Sequence, residues 1–326
     1  MVSRPISGLA EERKERYRLH CLAEPTIPIF SQPWWLDAVA PGDWDVCLVE
    51  RSGQIQASMP YVVDKRWGFI RLIQPKLTQN LGPWIRPVTQ KYSQILALQK
   101  DWMQELVQQL PKHHYFSQNW HYCQKNWLPF YWLGFSQTTR YTYVIEDISD
   151  PEKVFENFEY SKKKNIKKSE KIVKVMFDIS AEDFYNNHKL TLSKQGVKIS
   201  YDFPLFKSIY SAGYNNNQAK TIAALDSSGN IHAALFIIWD KISAYDLIGT
   251  IDPDYRVYGA SSLLVRESIR YSSKFVSKFD FEGSMIESVE RSFRQFGATQ
   301  VPYFQVSKVP SYVYRSVKLI VDLVRS

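Results

Sequence analysis

The chain has 326 residues, 44% of them hydrophobic and 23% charged, and a net charge of +8; that length buries ample core and exceeds the usual single domain, so two modules are expected. Positive charge admits an anionic partner such as a phosphate-bearing cofactor, a nucleic acid or a phospholipid surface without choosing among them. Cys21, Cys47 and Cys123 form no C-x-x-C pair, which excludes a disulfide framework and a zinc ribbon and points to a reducing, cytoplasmic setting, while the early charges Arg4 and Glu11 to Glu15 exclude a secretory signal and no stretch reaches the roughly 18 apolar residues of a membrane span.

Residues 1–27 open with an alternating-charge segment, Glu11 to His20, that reads as a solvated helix or frayed leader. Ser31, Gln32 and Pro33 before Trp34 and Trp35 mark a short helix start. Trp44–Glu50, Ile55–Val63 and Phe69–Ile73 are rich in β-branched and aromatic residues and are separated by turns at 51–53 and 64–68, so they are expected as consecutive antiparallel strands. A helix follows over Tyr92–Gln109 on the spacing of Ile95, Leu98, Trp102, Leu106 and Leu110, with further strands near Tyr115 and over Arg140–Ile145. This order makes residues 28–150 an α+β module rather than a doubly wound parallel sheet. Residues 151–174 turn Lys-rich and are expected as a helical connector. The second module, 175–326, repeats the order: helices near Ala181–Lys194 and Phe203–Ala212, strands Ala219–Leu225, Ile231–Trp239 and Ser243–Thr250, and a helix from about Ala260 to Phe275. The stretch Ser311–Val324 is amphipathic and is expected to pack on the body, with membrane-surface contact through Arg315, Lys318 and Arg325 as the other reading.

The chemistry concentrates where the strand ending at Thr250 runs through Asp252, Arg256, Val257 and Tyr258 into Gly259, Ala260, Ser261 and Ser262 at a helix start. Amides at such a start point outward with the positive end of the dipole, a ready site for a pyrophosphate, and small residues let phosphate approach the backbone. Arg256-Val257-Tyr258-Gly259-Ala260-Ser261 resembles the Q/R-x-x-G-x-G/A donor loop of the GNAT superfamily, with Ser261 in place of the usual Gly or Ala. Asp280-Phe281-Glu282-Gly283 followed by Phe293, Phe296 and Gly297 is similar to the terminal D-F-x-G block of Fem-type, CelD-like tandem acyltransferases. The Lys-rich run ending at Lys171 is similar to their basic inter-domain helix. The resemblance covers mainly 160–308; in the first half it rests on element order and the loop Thr78 to Trp84.

The resemblance implies two GNAT-like modules in tandem, each a mixed, mostly antiparallel sheet flanked by helices. It implies an acyl-CoA co-substrate, acetyl-CoA foremost, gripped by Arg256 to Ser262 with the backbone of Leu247 and Gly249 along the pantetheine arm. Acyl transfer would then be direct attack by an amine or hydroxyl in a ternary complex, without a metal. A carboxylate is needed as base; Glu282 is favoured and Asp280 second, the other reading being that each caps a turn or pairs with an Arg. Trp34, Trp35, Asn80, Trp84 and Arg86 are candidates for the acceptor site. His113, His114 and His121 lack metal-ligand spacing. Two alternatives remain: aminoacyl transfer from tRNA to a peptidoglycan precursor, and non-catalytic nucleic-acid binding through Lys162–Lys171 and stacked aromatics. No integral membrane association is expected under any of them.

Overall fold

The computed structural model describes residues 6–316 except residue 284, with side chains from residue 10 onward. Of the expected amphipathic stretch Ser311–Val324, the part from residue 317 onward therefore lies outside the described residues. The chain forms two compact units, one made of residues 1–140 with 302–326 and the other of residues 141–301.

In the first unit α1 (Ile6–Ala23) precedes α2 (Pro33–Val39) and the strands β1 (Trp44–Arg51), β2 (Gln54–Arg66), β3 (Phe69–Ile73), β4 (Trp84–Ile85) and β5 (Tyr115–Asn119). The charged leader is docked rather than frayed: Tyr17 is fully buried and donates its hydroxyl hydrogen to the Ser31 carbonyl at 2.8 Å, and Arg13 pairs with Asp45 on β1. Tyr17 and Cys21, one turn apart, share a core that fixes the helix, which a count of charges does not reveal. β1, β2 and β3 pair antiparallel, and β3 then pairs parallel with β5 after the chain has crossed through α3 (Tyr92–Gln108). α4 (Leu128–Trp132) follows, and the chain leaves this unit within β6 (Ser136–Ile145). It returns within β12 (Thr299–Lys308), which pairs antiparallel with β5 over Gln305–Lys308. Trp102, Met103 and Leu106 from α3, Phe116, Phe130 and Val306 share one core.

In the second unit α5 (Pro151–Glu156) and α6 (Tyr160–Ser169) lead to β7 (Lys174–Phe177), α7 (Ala181–Lys194) and α8 (Phe203–Asn215), then to β8 (Ala219–Leu225), β9 (Ile231–Trp239) and β10 (Ser243–Ile251). A 3-10 turn, Pro253–Tyr258, opens α9 (Ala260–Ser272), followed by β11 (Lys278–Asp280) and α10 (Glu287–Arg294). β7 to β10 pair antiparallel in sequence, β11 adds parallel to β10, and residues 144–145 of β6 pair antiparallel with β11. β9 is buried from His232 to Trp239 because both faces are covered. Leu235 and Ile237 join Leu263, Leu264 and Ile269 of α9, and Phe236 meets Phe184 and Phe206 of α7 and α8 on the other side. Each such side chain contributes roughly 1.5–3 kcal/mol by leaving water. The helix starts are sequence-coded: Ser180 accepts from the Asp183 amide and Asp202 from the Leu205 amide.

The division does not follow the boundaries expected at 150 and 174. Residues 151–174 sit inside the second unit, where Ile166 and Val173 belong to the main core. The cause is strand pairing: the end of β6 is held by β11 and the end of β12 by β5.

Candidate functional site

β10 carries the geometry around which a site can be built. Its pairing with β11 covers only Ser243–Tyr245 against Lys278–Asp280, so the edge beyond Tyr245 is left by that partner. On its other edge a bulge falls between Asp246 and Ile248 in the pairing with β9. Bulges bend a strand and sharpen its twist, and here the bulge falls where β10 runs on past the end of β11. Leu247 and Gly249 lie on this stretch; Leu247 is buried and Gly249 exposed.

Three acidic residues lie on or just past these strands, Asp246 on β10, Asp280 at the end of β11 and Glu282 just after it. Asp246 keeps Oδ1 enclosed without a hydrogen-bond partner among the described residues, and burial raises its pKa to about 7. Asp280 is also driven up to about 7 by burial, although its Oδ1 accepts from Thr142 Oγ1 at 2.5 Å and from the Glu282 amide at 2.7 Å. Glu282 is 8% exposed, but the strand ends at Asp280 and Glu282 has φ 58°, so alternation along a strand does not place the two carboxylates on one face. Asp280 instead closes a turn over the Glu282 amide. Gly283 follows with φ 66°, and a Cβ there would stand 2.1 Å from the Tyr141 carbonyl oxygen, which is why the D-F-x-G block ends in glycine. Phe281 stacks on Phe296 at 5.4 Å and lies 5.0 Å from Phe293, so the rest of that block is core.

The loop after β10 is anchored from several sides. Lys194 of α7 bonds both carboxylate oxygens of Asp252, at 2.9 and 2.7 Å, and Asp254 at 2.6 Å. Tyr255 stacks flat on the buried His232 ring with centroids 4.1 Å apart, and His232 Nε2 lies 3.1 Å from Asp226. Arg256 and Val257 are exposed and Tyr258 half-buried. Gly259 takes φ 77°, in the left-handed region, and starts α9 without a side-chain cap. The amides of Ala260 and Ser261 donate to no protein acceptor among the described residues, whereas Ser262 donates to the Gly259 carbonyl at 3.0 Å. Unsatisfied first-turn amides of this kind are where a helix accepts an anion.

Gly259 itself does not face open space. A Cβ there would lie 2.5 Å from Asn165 Cβ on α6, and Lys168 from the same helix donates to the Val257 carbonyl at 2.9 Å with its ammonium 5.3 Å from the Tyr258 ring. The glycine is therefore required by helix packing, independently of any phosphate. Lys162 on α6 is 8% exposed, bonds Ser292 Oγ at 2.8 Å, and has its pKa lowered to about 8 by burial. Beside it, Phe155, Glu156, Tyr160, Lys163, Lys164 and Lys167 line a surface cleft of about 440 Å³ between α5 and α6.

The candidates for the acceptor divide. Trp35 is fully buried with its indole N–H on Thr78 Oγ1 at 3.0 Å, Trp84 is 8% exposed with its N–H on Thr26 Oγ1 at 2.8 Å, and Arg86 bonds the Ile55 carbonyl at 2.8 Å. These three are committed to the first unit's own packing. Trp34 Nε1 and Asn80 Oδ1 are enclosed and lack a partner among the described residues. His114 Nδ1 accepts from the Ile70 amide, and among the described residues no group of His, Cys, Asp or Glu could hold a metal.

Sequence reasoning missed Asp246, Asn165, Lys168 and Lys194. Asp246 carried a signal, as a lone acid inside the apolar strand Ser243–Ile251, a place where a charge is rarely buried without purpose. The other three act through contacts distant in sequence that no local pattern announces.

No protein-family model and no curated protein matches the chain. Solved structures do. FemX is similar with a TM-score of 0.65 at 11% identity, over 93% of this chain and 96% of that one. The C-terminal domain of a putative lysylphosphatidylglycerol synthetase from Agrobacterium fabrum gives a TM-score of 0.57 at 11% identity, over 95% and 96%. A tandem GNAT protein from the clavulanic acid biosynthesis pathway gives 0.51 at 9% identity, over 91% and 94%. The fold is thus the tandem GNAT-like, Fem-type one, a mixed and mostly antiparallel α/β arrangement.

Proposed function

We propose that this chain, on its tandem GNAT-like, Fem-type fold, is an acyltransferase that moves an acyl group from acyl-CoA to an amine or hydroxyl by direct attack. The observations that support this most are the edge of β10 that β11 leaves beyond Tyr245, the enclosed Asp246 Oδ1 on that stretch, and the amides of Ala260 and Ser261, which donate to no acceptor among the described residues. The backbone of Leu247 and Gly249 would run along the donor's arm, and the residues Arg256 to Ser262 would meet its phosphates. Held together, acceptor and thioester react as one molecule, which can supply several kcal/mol of the barrier. The acceptor lone pair forms the new bond to the acyl carbon, the C–S bond breaks, and the acceptor proton passes to a carboxylate. Asp246 suits that last step best, since a pKa of about 7 is near the operating pH; Glu282 and Asp280 remain the other candidates.

A second reading is favoured by one contact. Because Asn165 is seated on Gly259, and Lys163, Lys164 and Lys167 line the neighbouring cleft, the donor could instead be an aminoacyl-tRNA, with a cell-wall peptide precursor as acceptor. The two readings separate in one experiment, in which chain is mixed with labelled acetyl-CoA or labelled aminoacyl-tRNA and donor consumption is followed. Consumption of the thioester, and a rise in melting temperature with millimolar coenzyme A, supports the first; consumption of the tRNA ester alone supports the second. Turnover of neither donor, with no shift by either, overturns the transferase reading. Asp246→Asn is expected to lower kcat about 100-fold or more with donor KM little changed.

A further inference from the structure

The two-residue turn between β2 and β3 is Trp67–Gly68, with φ of 52° and 77°. Positive φ at both positions is the type I′ hairpin turn, whose first position takes Asn, Asp or Gly. A tryptophan there occupies a region that bulky side chains avoid, and it is 65% exposed. Neither the turn nor any core selects it. The Arg66 guanidinium lies 4.3 Å from the ring centroid, and Lys65 is exposed beside it. Just below the tip, Phe69 packs edge-on against Tyr314 at 5.1 Å while Tyr115 stacks on Tyr314 at 5.5 Å. Tyr314 thereby holds residues 311–316 next to the hairpin, where Tyr312 is 81% and Val313 67% exposed and Arg315 lies 5.6 Å from the Tyr312 ring. The single acid in these two segments, Asp64, is already bonded by Arg71 Nε at 2.7 Å.

We propose that the β2–β3 tip, with Tyr312, Val313 and Arg315, is a peripheral docking surface for an anionic phospholipid bilayer. Trp and Tyr partition to the headgroup level because each has an apolar body and a polar edge. Lys65, Arg66 and Arg315, which pair with no acid among the described residues, supply attraction to anionic lipid, and two such signals together give stable yet reversible attachment. No described helix is long and apolar enough to cross a membrane. This inference is independent of the donor and base assigned above.

The test uses the full chain and vesicles of phosphatidylglycerol with phosphatidylcholine, against vesicles of phosphatidylcholine alone, read by co-sedimentation at rising salt. The wild type is expected to bind the anionic vesicles, and less so as salt rises. Trp67→Asn should weaken binding about tenfold, the loss of one buried aromatic, while its melting temperature holds or rises because Asn suits the turn. Lys65→Gln and Arg66→Gln should each weaken it about fivefold. Equal binding to both vesicle types overturns the proposal, as does full retention by Trp67→Asn. It is also overturned if Tyr131→Ala with Trp132→Ala, on the exposed face of α4, abolishes binding instead. A short RNA that competes the vesicles off while Trp67→Asn still binds it would assign the basic patch to nucleic acid and overturn it as well.

Discussion

Asp246 and Asp280 are carboxyls that burial holds near neutrality. An exposed carboxyl titrates near 4, so between about pH 4 and 7 the folded state holds protons that the unfolded chain has released. Their contribution to stability is fully present below about pH 4 and is lost as pH rises through about 7. His188 acts in the opposite sense, since burial lowers it to about 4 and its contribution is lost as pH falls from about 6.5 toward 4. The denaturation midpoint is therefore expected to decline between about pH 4 and 7, most steeply above about 6.5 where His188 no longer opposes it, and Asp280→Asn, which keeps an acceptor for the Glu282 amide, should flatten that decline. A base at Asp246 adds a rate that climbs over the same interval, and a pH profile unmoved by Asp246→Asn would count against that role. Gly259 gives a second prediction. Alanine there meets both a left-handed backbone and Asn165, so Gly259→Ala is expected to cost about 1–3 kcal/mol in urea unfolding. A loss of donor binding in that variant would therefore report α6 as much as any phosphate. The glycine was legible in the sequence through its loop pattern, while the residue that requires it was not, because Asn165 belongs to a helix whose charges describe only its solvent face.

The elements around β10 show what local pattern reveals and what it leaves hidden. Runs of β-branched and aromatic residues marked β8, β9 and β10 within a residue or two, since each is a strand whose side chains decide its conformation. The bulge at Asp246 and the parting from β11 depend on two neighbouring strands at once and leave no mark in either. Likewise α6 has the composition of a solvated connector, yet it is the floor on which the loop rests, through Ile166, Asn165 and Lys168. The loop's other tether is Lys194, whose pKa is raised by its bonds to Asp252 and Asp254. Lys194→Met should free the 3-10 turn, seen as faster amide exchange over residues 253–258 and a higher donor KM, with melting temperature little changed. Unchanged exchange would show that His232 and Tyr255 hold the turn unaided.

At the scale of the whole molecule, the repeated order of elements was readable because each half carries antiparallel strands, a helix and one parallel step, β3 to β5 in the first unit and β10 to β11 in the second. The boundaries were not, since they are set by which distant strand completes each sheet. β5 relies on Gln305 to Lys308, and Val306 from that segment is fully buried in the first unit's core. Truncation after residue 301 is thus expected to unfold the first unit, with loss of its near-ultraviolet tryptophan signal; a soluble truncated chain that keeps this signal would refute the dependence. The same pairing bears on how the protein is made. On the ribosome, the whole of the second unit must emerge before β12 does, so the nascent first unit waits with one strand edge bare. Such an edge is a template for wrong partners, and this makes the newborn chain a natural client for a holding chaperone until its missing strand arrives.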